Sequence, residues 1–313
     1  MPSIAIVAPV FNEEQNIPEL HRRLKAALPP SFPHTVSFLY INDGSTDSTL
    51  GILHDLQATD ERIVIIDLAR NFGHQPAVMA GIEVALEKHD LLVLMDSDLQ
   101  DLPEAVPNLI EKQQQGYDVV YAVRTKRQES LFHRFAFRAF YRLLAAVSPL
   151  KIPMDSGLFC VMSSRVARVI LEMPERNRFI PGLRAYAGFR QAGLPVARGE
   201  RFAGEAKVGL RRQIQLAFDA IVSFSTIPLK LLTIFGFTVA ASAFLVGFTG
   251  LVAKYVFSTQ LLGWPFGLTT LLFVAGIQLI STGILGEYLG RIYDEVKKRP
   301  YYIISSVHEK APR

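Results

Sequence analysis

Acids stand just past the ends of short apolar runs in this sequence, where side chains can reach a ligand without sinking into a core. Leu91-Leu92-Val93-Leu94-Met95 leads directly into Asp96-Ser97-Asp98, then Leu99-Gln100-Asp101-Leu102-Pro103-Glu104. Bare carboxylates beside a strand end are costly to bury, so they need a cation or hydrogen-bond donors. Mg2+ suits them, because it takes one or two carboxylates and completes its shell with water and substrate phosphates. An Asp-x-Asp on its own usually marks a turn or a helix cap; its position after a five-residue apolar run raises it. The pattern recurs where Val36–Ile41 runs into Asn42-Asp43-Gly44-Ser45-Thr46-Asp47, and where Ile4–Ala8 runs into Pro9-Val10-Phe11-Asn12-Glu13-Glu14. Capping chemistry accounts for any one of these. Three on one sheet edge point to a nucleotide and metal site.

The elements that must position these acids alternate along the first 125 residues. Apolar runs at Ile4–Ala8, Val36–Ile41, Ile63–Leu68, Leu91–Met95 and Val119–Val123 are separated by amphipathic stretches near Ile17–Leu28, Ser48–Ala58, Pro76–Leu86 and Pro103–Gln114. Strand, helix, strand at this spacing predicts a doubly wound α/β domain with a largely parallel sheet, whose ligands bind beyond the carboxyl ends of the strands.

Length and composition agree. A chain of 313 residues has ample core for one large domain or two smaller ones. Its 50% apolar and 20% charged residues, with a mean hydropathy of +0.23, are too oily for a purely soluble enzyme. The formal charge of +4 fits anionic substrates or an anionic membrane surface better than wholesale wrapping of nucleic acid, which is not an expected partner. The single Cys160, inside the run Leu158–Met162, excludes an intrachain disulfide and a Cys-rich zinc site, and reads as a core residue.

The oil is concentrated near the end. Leu231–Ala253 and Tyr255–Gly286 contain no Asp, Glu, Lys, Arg or His, and each is long enough to cross a bilayer once, with about 20 apolar residues needed per crossing. A pair of buried core helices is the alternative, but such helices rarely lack charge over this length. Arg201, Lys207, Arg211, Arg212 and Lys230 precede the pair and Arg291, Lys297, Lys298 and Arg299 follow it, while the connection offers only Lys254. The positive-inside rule then puts both flanks in the cytoplasm, which agrees with a start that lacks signal-peptide character. Phe132–Leu144 spaces Arg134, Arg138 and Arg142 four apart, as an interfacial helix or an ordinary solvated charge stripe would; Gln213–Phe224 has the same mixed character next to the first span. Gly236, Gly247, Gly250 and Gly276 allow close helix packing within one chain or between copies, so a homo-oligomer is compatible with the sequence.

Pro9-Val10-Phe11-Asn12-Glu13-Glu14, Asn42-Asp43-Gly44-Ser45-Thr46-Asp47, Asn71-Phe72-Gly73 and Asp96-Ser97-Asp98-Leu99-Gln100-Asp101 resemble the successive motifs of family 2 glycosyltransferases with the GT-A fold. More narrowly they resemble the polyprenyl-phosphate glycosyltransferases, over about residues 3 to 210, and a two-span C-terminal hairpin also characterises the bacterial members. The resemblance implies a GT-A catalytic domain over 1–210, an interfacial helix over 211–230, a transmembrane hairpin over 231–288 with spans about 232–253 and 266–286, and a cytoplasmic tail over 289–313. It implies an integral protein of the inner membrane that takes a nucleotide-sugar donor and a polyprenyl phosphate acceptor. Pro9, Val10, Glu13 and Asp43 would hold the base and ribose. Asp96 and Asp98 would meet Mg2+ or Mn2+ and the diphosphate, with Ser97 and Gln100 beside the nucleotide. Arg124, Arg134, Arg138, Arg201 and Lys207 would face the acceptor and its phosphates. In Arg201-Phe202-Ala203-Gly204-Glu205-Ala206-Lys207 the family often has Ser where Ala206 stands, and an aromatic where Val208 stands.

Met154-Asp155-Ser156-Gly157 matches the family's acid before the second-half strand, which makes Asp155 and Asp98 the candidate catalytic residues. A polyprenyl monophosphate, with a second pKa near ~6, is already ionised at neutral pH, so Asp155 has no proton to remove and would orient the acceptor, a sugar hydroxyl or a cation; a turn-capping role is the plainer alternative. No P-loop motif occurs, and the seven histidines lack metal-ligand spacing, so His74 reads as a loop residue near the nucleotide. Trp264 is preceded by Gly263, so the Gln-x-x-Arg-Trp element of processive synthases is missing, which favours one sugar per lipid. The expected reaction is inverting transfer of glucose from UDP-glucose; GDP-mannose or a modified UDP-sugar is the alternative donor, and a catalytically silent membrane scaffold the alternative of another class.

Overall fold

The computed structural model describes residues 2–124, 156–176, 178–197, 227–257 and 264–310. Two compact units emerge: Met1–Lys207 together with Arg299–Arg313, and Val208–Lys298.

In the first unit β1 (Ile4–Val10), β2 (Val36–Asn42), β3 (Ile63–Leu68), β4 (Leu91–Leu94) and β5 (Val119–Arg124) alternate with α1 (Ile17–Ala27), α2 (Thr49–Thr59), α3 (His74–Ala85) and α4 (Val106–Gln114). Then come β6 (Ser156–Ser163), α5 (Ser164–Glu172), α6 (Ile180–Ala187), β7 (Gln191–Val196) and, after the second unit, β8 (Ile304–Glu309). The sheet order is β7-β5-β6-β4-β1-β2-β3-β8. β1 lies parallel to β2 and β4, and β2 to β3. The five strands read as apolar runs are therefore present, because strands covered on both faces need near-continuous Val, Ile and Leu. All seven residues of β1 are buried. Ile4, Ile6 and Ala8 face Ile17, Leu20 and Leu24 of α1 in one core, while Ala5 and Val7 join Ala77, Val78 and Ile82 of α3 in the other.

The sheet is mixed, with most pairs parallel. β6 runs antiparallel between β4 and β5, and β8 runs antiparallel along β3. The reversal of β6 sets Ser156 opposite Val123, near the carboxyl end of β5. Cys160 is fully buried in β6, as its apolar surroundings implied. The stretch read as a tail over 289–313 contains the edge strand β8. α3 sits unusually close to the sheet: a Cβ at Gly81 would lie 2.5 Å from Val7 Cγ1 and 2.7 Å from Ile41 Cδ1, so glycine sets the separation.

The second unit contains α7 (Ile227–Phe257) and α8 (Trp264–Val296), which include apolar stretches at Leu232–Thr249 and Thr270–Val296 long enough to cross a membrane. Their Phe237, Phe244, Leu272 and Leu279 are exposed, a surface matched to hydrocarbon rather than to water.

Candidate active site

Three loops at the carboxyl ends of the parallel strands build the site. After β1, Asn12 takes φ +53°, a conformation that Asn tolerates through its short polar side chain. Its backbone N–H donates to Ser45 Oγ at 3.0 Å, and its Oδ1 accepts from the Thr46 N–H at 2.8 Å. Glu13 N–H donates to Thr49 Oγ1 at 2.9 Å, and Glu14 Oε2 accepts from the Ser48 N–H at 3.1 Å. The Glu13 carboxylate accepts from Asn16 Nδ2. The first two loops are thus laced together by their own polar side chains. Pro9 and Val10 are buried in the end of β1, and the Val10 carbonyl accepts from the Asp43 N–H at 2.9 Å.

Asp43, buried past the end of β2, accepts the backbone N–H of Phe72 at 2.7 Å on Oδ1 and that of Gly73 at 2.9 Å on Oδ2. Burial lifts its carboxyl above the ordinary range, and the two N–H donors pull it partly back. Gly44 is required beside it. Its φ is +65°, and a Cβ would lie 2.5 Å from Asn71 N and 2.6 Å from Arg70 C, so the loop after β2 meets the loop after β3 backbone to backbone. Gly73, at φ +100° and ψ 165°, occupies a region open almost only to glycine and turns the chain into α3.

His74 opens α3, and its Nε2 stands 2.8 Å from Asp96 Oδ1. Burial disfavours the imidazolium, but the Asp96 hydrogen bond and the charges of Asp96, Asp43 and Asp98 outweigh it, and its pKa is raised. Of the acids read from the sequence, Asp96 contacts this imidazole, and the charges of Asp43 and Asp98 reach it. In the third loop, Asp98 Oδ1 accepts the Gln100 N–H at 3.1 Å, and Asp101 Oδ2 accepts the Asp96 N–H at 3.3 Å. Ser97 and Asp101 are buried, while Asp96, Asp98 and Gln100 are half-buried. Leu99 takes φ +63°, an outlier for a bulky side chain, and its side chain is sunk in the core. Strain of this kind persists only where the surroundings impose it.

Among the described residues no group of three or more His, Cys, Asp or Glu side chains is arranged to enclose a metal ion. The candidate donors are instead the Asp96 and Asp98 carboxylates, half-buried on one loop. That suits Mg2+ or Mn2+, which draw the rest of their shell from water and a diphosphate, and not a closed zinc cage.

Arg124 ends β5, opposite Val196 of β7. Asp155, Arg134, Arg138, Arg201 and Lys207 lie outside the described residues. The structure adds His74, Asn12 and the Asn71–Gly73 turn to the acids. Asn71-Phe72-Gly73 carried a motif signal in the sequence; His74, read there as a loop residue near the nucleotide, is instead the first residue of α3, because the Gly73 turn starts the helix ahead of the amphipathic stretch read from Pro76.

The family model for glycosyl transferase family 2 matches residues 5–171, which include all three loops. The chain is 41% identical over 301 residues to the glycosyltransferase YkcC of Bacillus subtilis, covering 96% of this chain and 92% of that one. It is 40% identical over 310 residues to the bactoprenol glucosyl transferase of Shigella phage SfII, covering 99% of each. With the undecaprenyl-phosphate 4-deoxy-4-formamido-L-arabinose transferase of Klebsiella pneumoniae it shares 36% identity over 313 residues, 97% and 93% of the two chains. A doubly wound domain whose strand ends carry this acidic rim, within such matches, belongs to glycosyltransferase family 2 and is an enzyme of the GT-A fold.

Proposed function

We propose that this glycosyltransferase moves a single glucose from UDP-glucose to a polyprenyl phosphate, undecaprenyl phosphate foremost, at the cytoplasmic face of the cell's inner membrane, with inversion at the anomeric carbon. One observation carries the reading: the likeness to the phage SfII bactoprenol glucosyl transferase runs over 99% of both chains, through the acidic loops and the apolar helices alike.

Pro9, Val10, Glu13 and Asp43 border the nucleotide, with Ser97 and Gln100 beside it. Asp96 and Asp98 would hold Mg2+ or Mn2+, which when bound neutralises charge on the departing diphosphate. Arg124, Arg134, Arg138, Arg201 and Lys207 draw the lipid phosphate toward the sugar, and Asp155 orients it. A phosphate oxygen of the acceptor attacks the anomeric carbon, the bond from that carbon to the β-phosphate oxygen breaks, and UDP leaves with the electron pair. No proton needs removing, since the acceptor is ionised with a second pKa near ~6. The apolar helices over 231–288 and an interfacial helix over 211–230 keep the enzyme where its acceptor is dissolved.

The test is transfer of labelled glucose from UDP-glucose to undecaprenyl phosphate by the full chain in detergent, beside GDP-mannose and a UDP-linked formamido-arabinose. Glucose transfer that Asp98→Ala abolishes in a folded protein is the expected result. Preference for another donor overturns the glucose assignment; nucleotide binding without any transfer favours a silent scaffold.

A further inference from the structure

The histidine that opens α3 is absorbed neither by the nucleotide contacts nor by the acceptor contacts. Its Nε2 meets Asp96 Oδ1 at 2.8 Å. Gln75 Nε2, one residue on, lies 3.4 Å from the other ring nitrogen, Nδ1, on the side that would accept from it while Nε2 donates to the carboxylate. Two further facts hold the imidazole in place. The backbone just before it is clamped, because Phe72 and Gly73 give their N–H groups to Asp43. The helix behind it is pressed onto β1 and β2 at Gly81, where no side chain would fit. Asp96 itself sits two residues past β4, at the start of a loop strained at Leu99.

We propose that His74 is a positioning residue: its Nε2–H orients the Asp96 carboxylate for a divalent cation, and the clamp of Phe72 and Gly73 on Asp43 couples that orientation to the nucleotide end of the site. The inference rests on the reading of Asp96 and Asp98 as cation ligands. Carboxylates that bind a metal are themselves held by neighbouring donors, and removing such a donor typically weakens metal binding by about 10- to 100-fold. His74 is a side-chain donor that the structure sets against Asp96. It comes from a different strand-to-helix connection, so it fixes the carboxylate against the sheet rather than against its own loop.

The experiment titrates the full-length protein in detergent with Mn2+, with and without UDP, following free Mn2+ by electron paramagnetic resonance. Wild type, His74→Ala, His74→Gln and Asp98→Ala are compared, each checked for an unchanged melting transition. His74→Ala should weaken Mn2+ binding in the presence of UDP by about ten-fold or more. It should leave UDP binding in EDTA within about two-fold, because the nucleotide contacts are intact. Glutamine carries an N–H the same number of bonds from the backbone as Nε2, so His74→Gln should recover most of the loss; recovery by a donor is what a mere packing role would not give. Mn2+ affinity in His74→Ala equal to wild type, with Asp98→Ala impaired, overturns the role of His74 and leaves the cation site standing. Failure of His74→Gln to recover overturns the donor role as well. Mn2+ binding unaffected by Asp98→Ala, or undetectable in wild type, overturns the cation site and this inference with it.

Discussion

Asp43 Oδ2 accepts the backbone N–H of Gly73 across 2.9 Å and 30 residues of chain, so the acid at the end of β2 closes the turn from which α3 starts. Its other oxygen holds Phe72 in the same way. One carboxylate therefore sets the path of the chain into the helix that carries His74.

Removing it leaves two partly buried backbone donors without their acceptor. Asp43→Ala should destabilise the catalytic unit by about 2 kcal/mol, the low end of about 1 to 3 for each orphaned group because both donors are only partly buried, and weaken UDP binding as well. Asp43→Asn keeps one acceptor and should lose about half as much. Urea unfolding at neutral pH reads both; an unmoved midpoint in Asp43→Ala would show that something else holds this turn.

Arg184 of α6 is wholly buried, its guanidinium 4.6 Å above the ring of Tyr121, and it finds no hydrogen-bond acceptor among the described residues. A buried cation whose described neighbours are an aromatic face and the Cys160 thiol is expensive, and apolar replacements of buried charged groups are often neutral or stabilising by about 1 to 4 kcal/mol. Arg184→Met should therefore raise the melting temperature of the ligand-free protein. A clear fall would mean that the charge has an anionic partner.

His21 lies buried between Tyr40 Oη, 3.1 Å from Nδ1, and Asp60, 3.5 Å from Nε2. Burial holds its pKa below the ordinary 6.5; Asp60 opposes this, and Lys25 and Arg62 reinforce it. The unfolded chain then binds the proton more readily than the folded one. His21's contribution is complete above the ordinary value and is lost as pH falls through the depressed one. Melting temperatures measured from pH 7.5 to pH 5 should decline on the acid side, and His21→Gln should flatten that decline. An identical acid limb in the variant would move the cause elsewhere, His89 being the next histidine that burial depresses.

The first unit receives chain from both sides of the second, so the two obvious ways of removing the apolar helices differ. Stopping at residue 225 also deletes β8 and strips the partner from β3; excising 208–298 and joining the ends with a flexible Gly/Ser linker keeps it. An uncovered strand edge is a template for association. The shortened chain should aggregate, and the excised one should stay dispersed in light scattering. Equal behaviour would show that β8 is dispensable.

The strands and acids of the first half were legible because each apolar run ends abruptly in turn residues, which marks both the strand and the side of the sheet where its acid emerges. β1 to β5 lie within a few residues of the runs read from sequence. β7 was not legible: Gln191-Ala192-Gly193-Leu194-Pro195-Val196 holds Gly and Pro, poor strand formers that an edge position tolerates. β8 alternates weakly and pairs with residues far away in sequence, so Ser305, Ser306 and His308 look like tail. The contact of His74 with Asp96 was hidden for another reason. Neither residue type nor spacing tells which strand end the start of α3 will face, and only the sheet order brings it to β4.

The pairing of Val64 with Glu309 also sets a timetable for biogenesis. β3 leaves the ribosome long before its outer neighbour is made, and at about 5 to 20 residues per second some tens of seconds pass before β8 appears. Throughout that interval both apolar helices emerge while the nascent catalytic unit still lacks its last strand. Completion of the catalytic half is thus postponed until both apolar helices have been made, so a pause in their synthesis would prolong the window in which that half is vulnerable to proteases and to misassembly with other nascent chains.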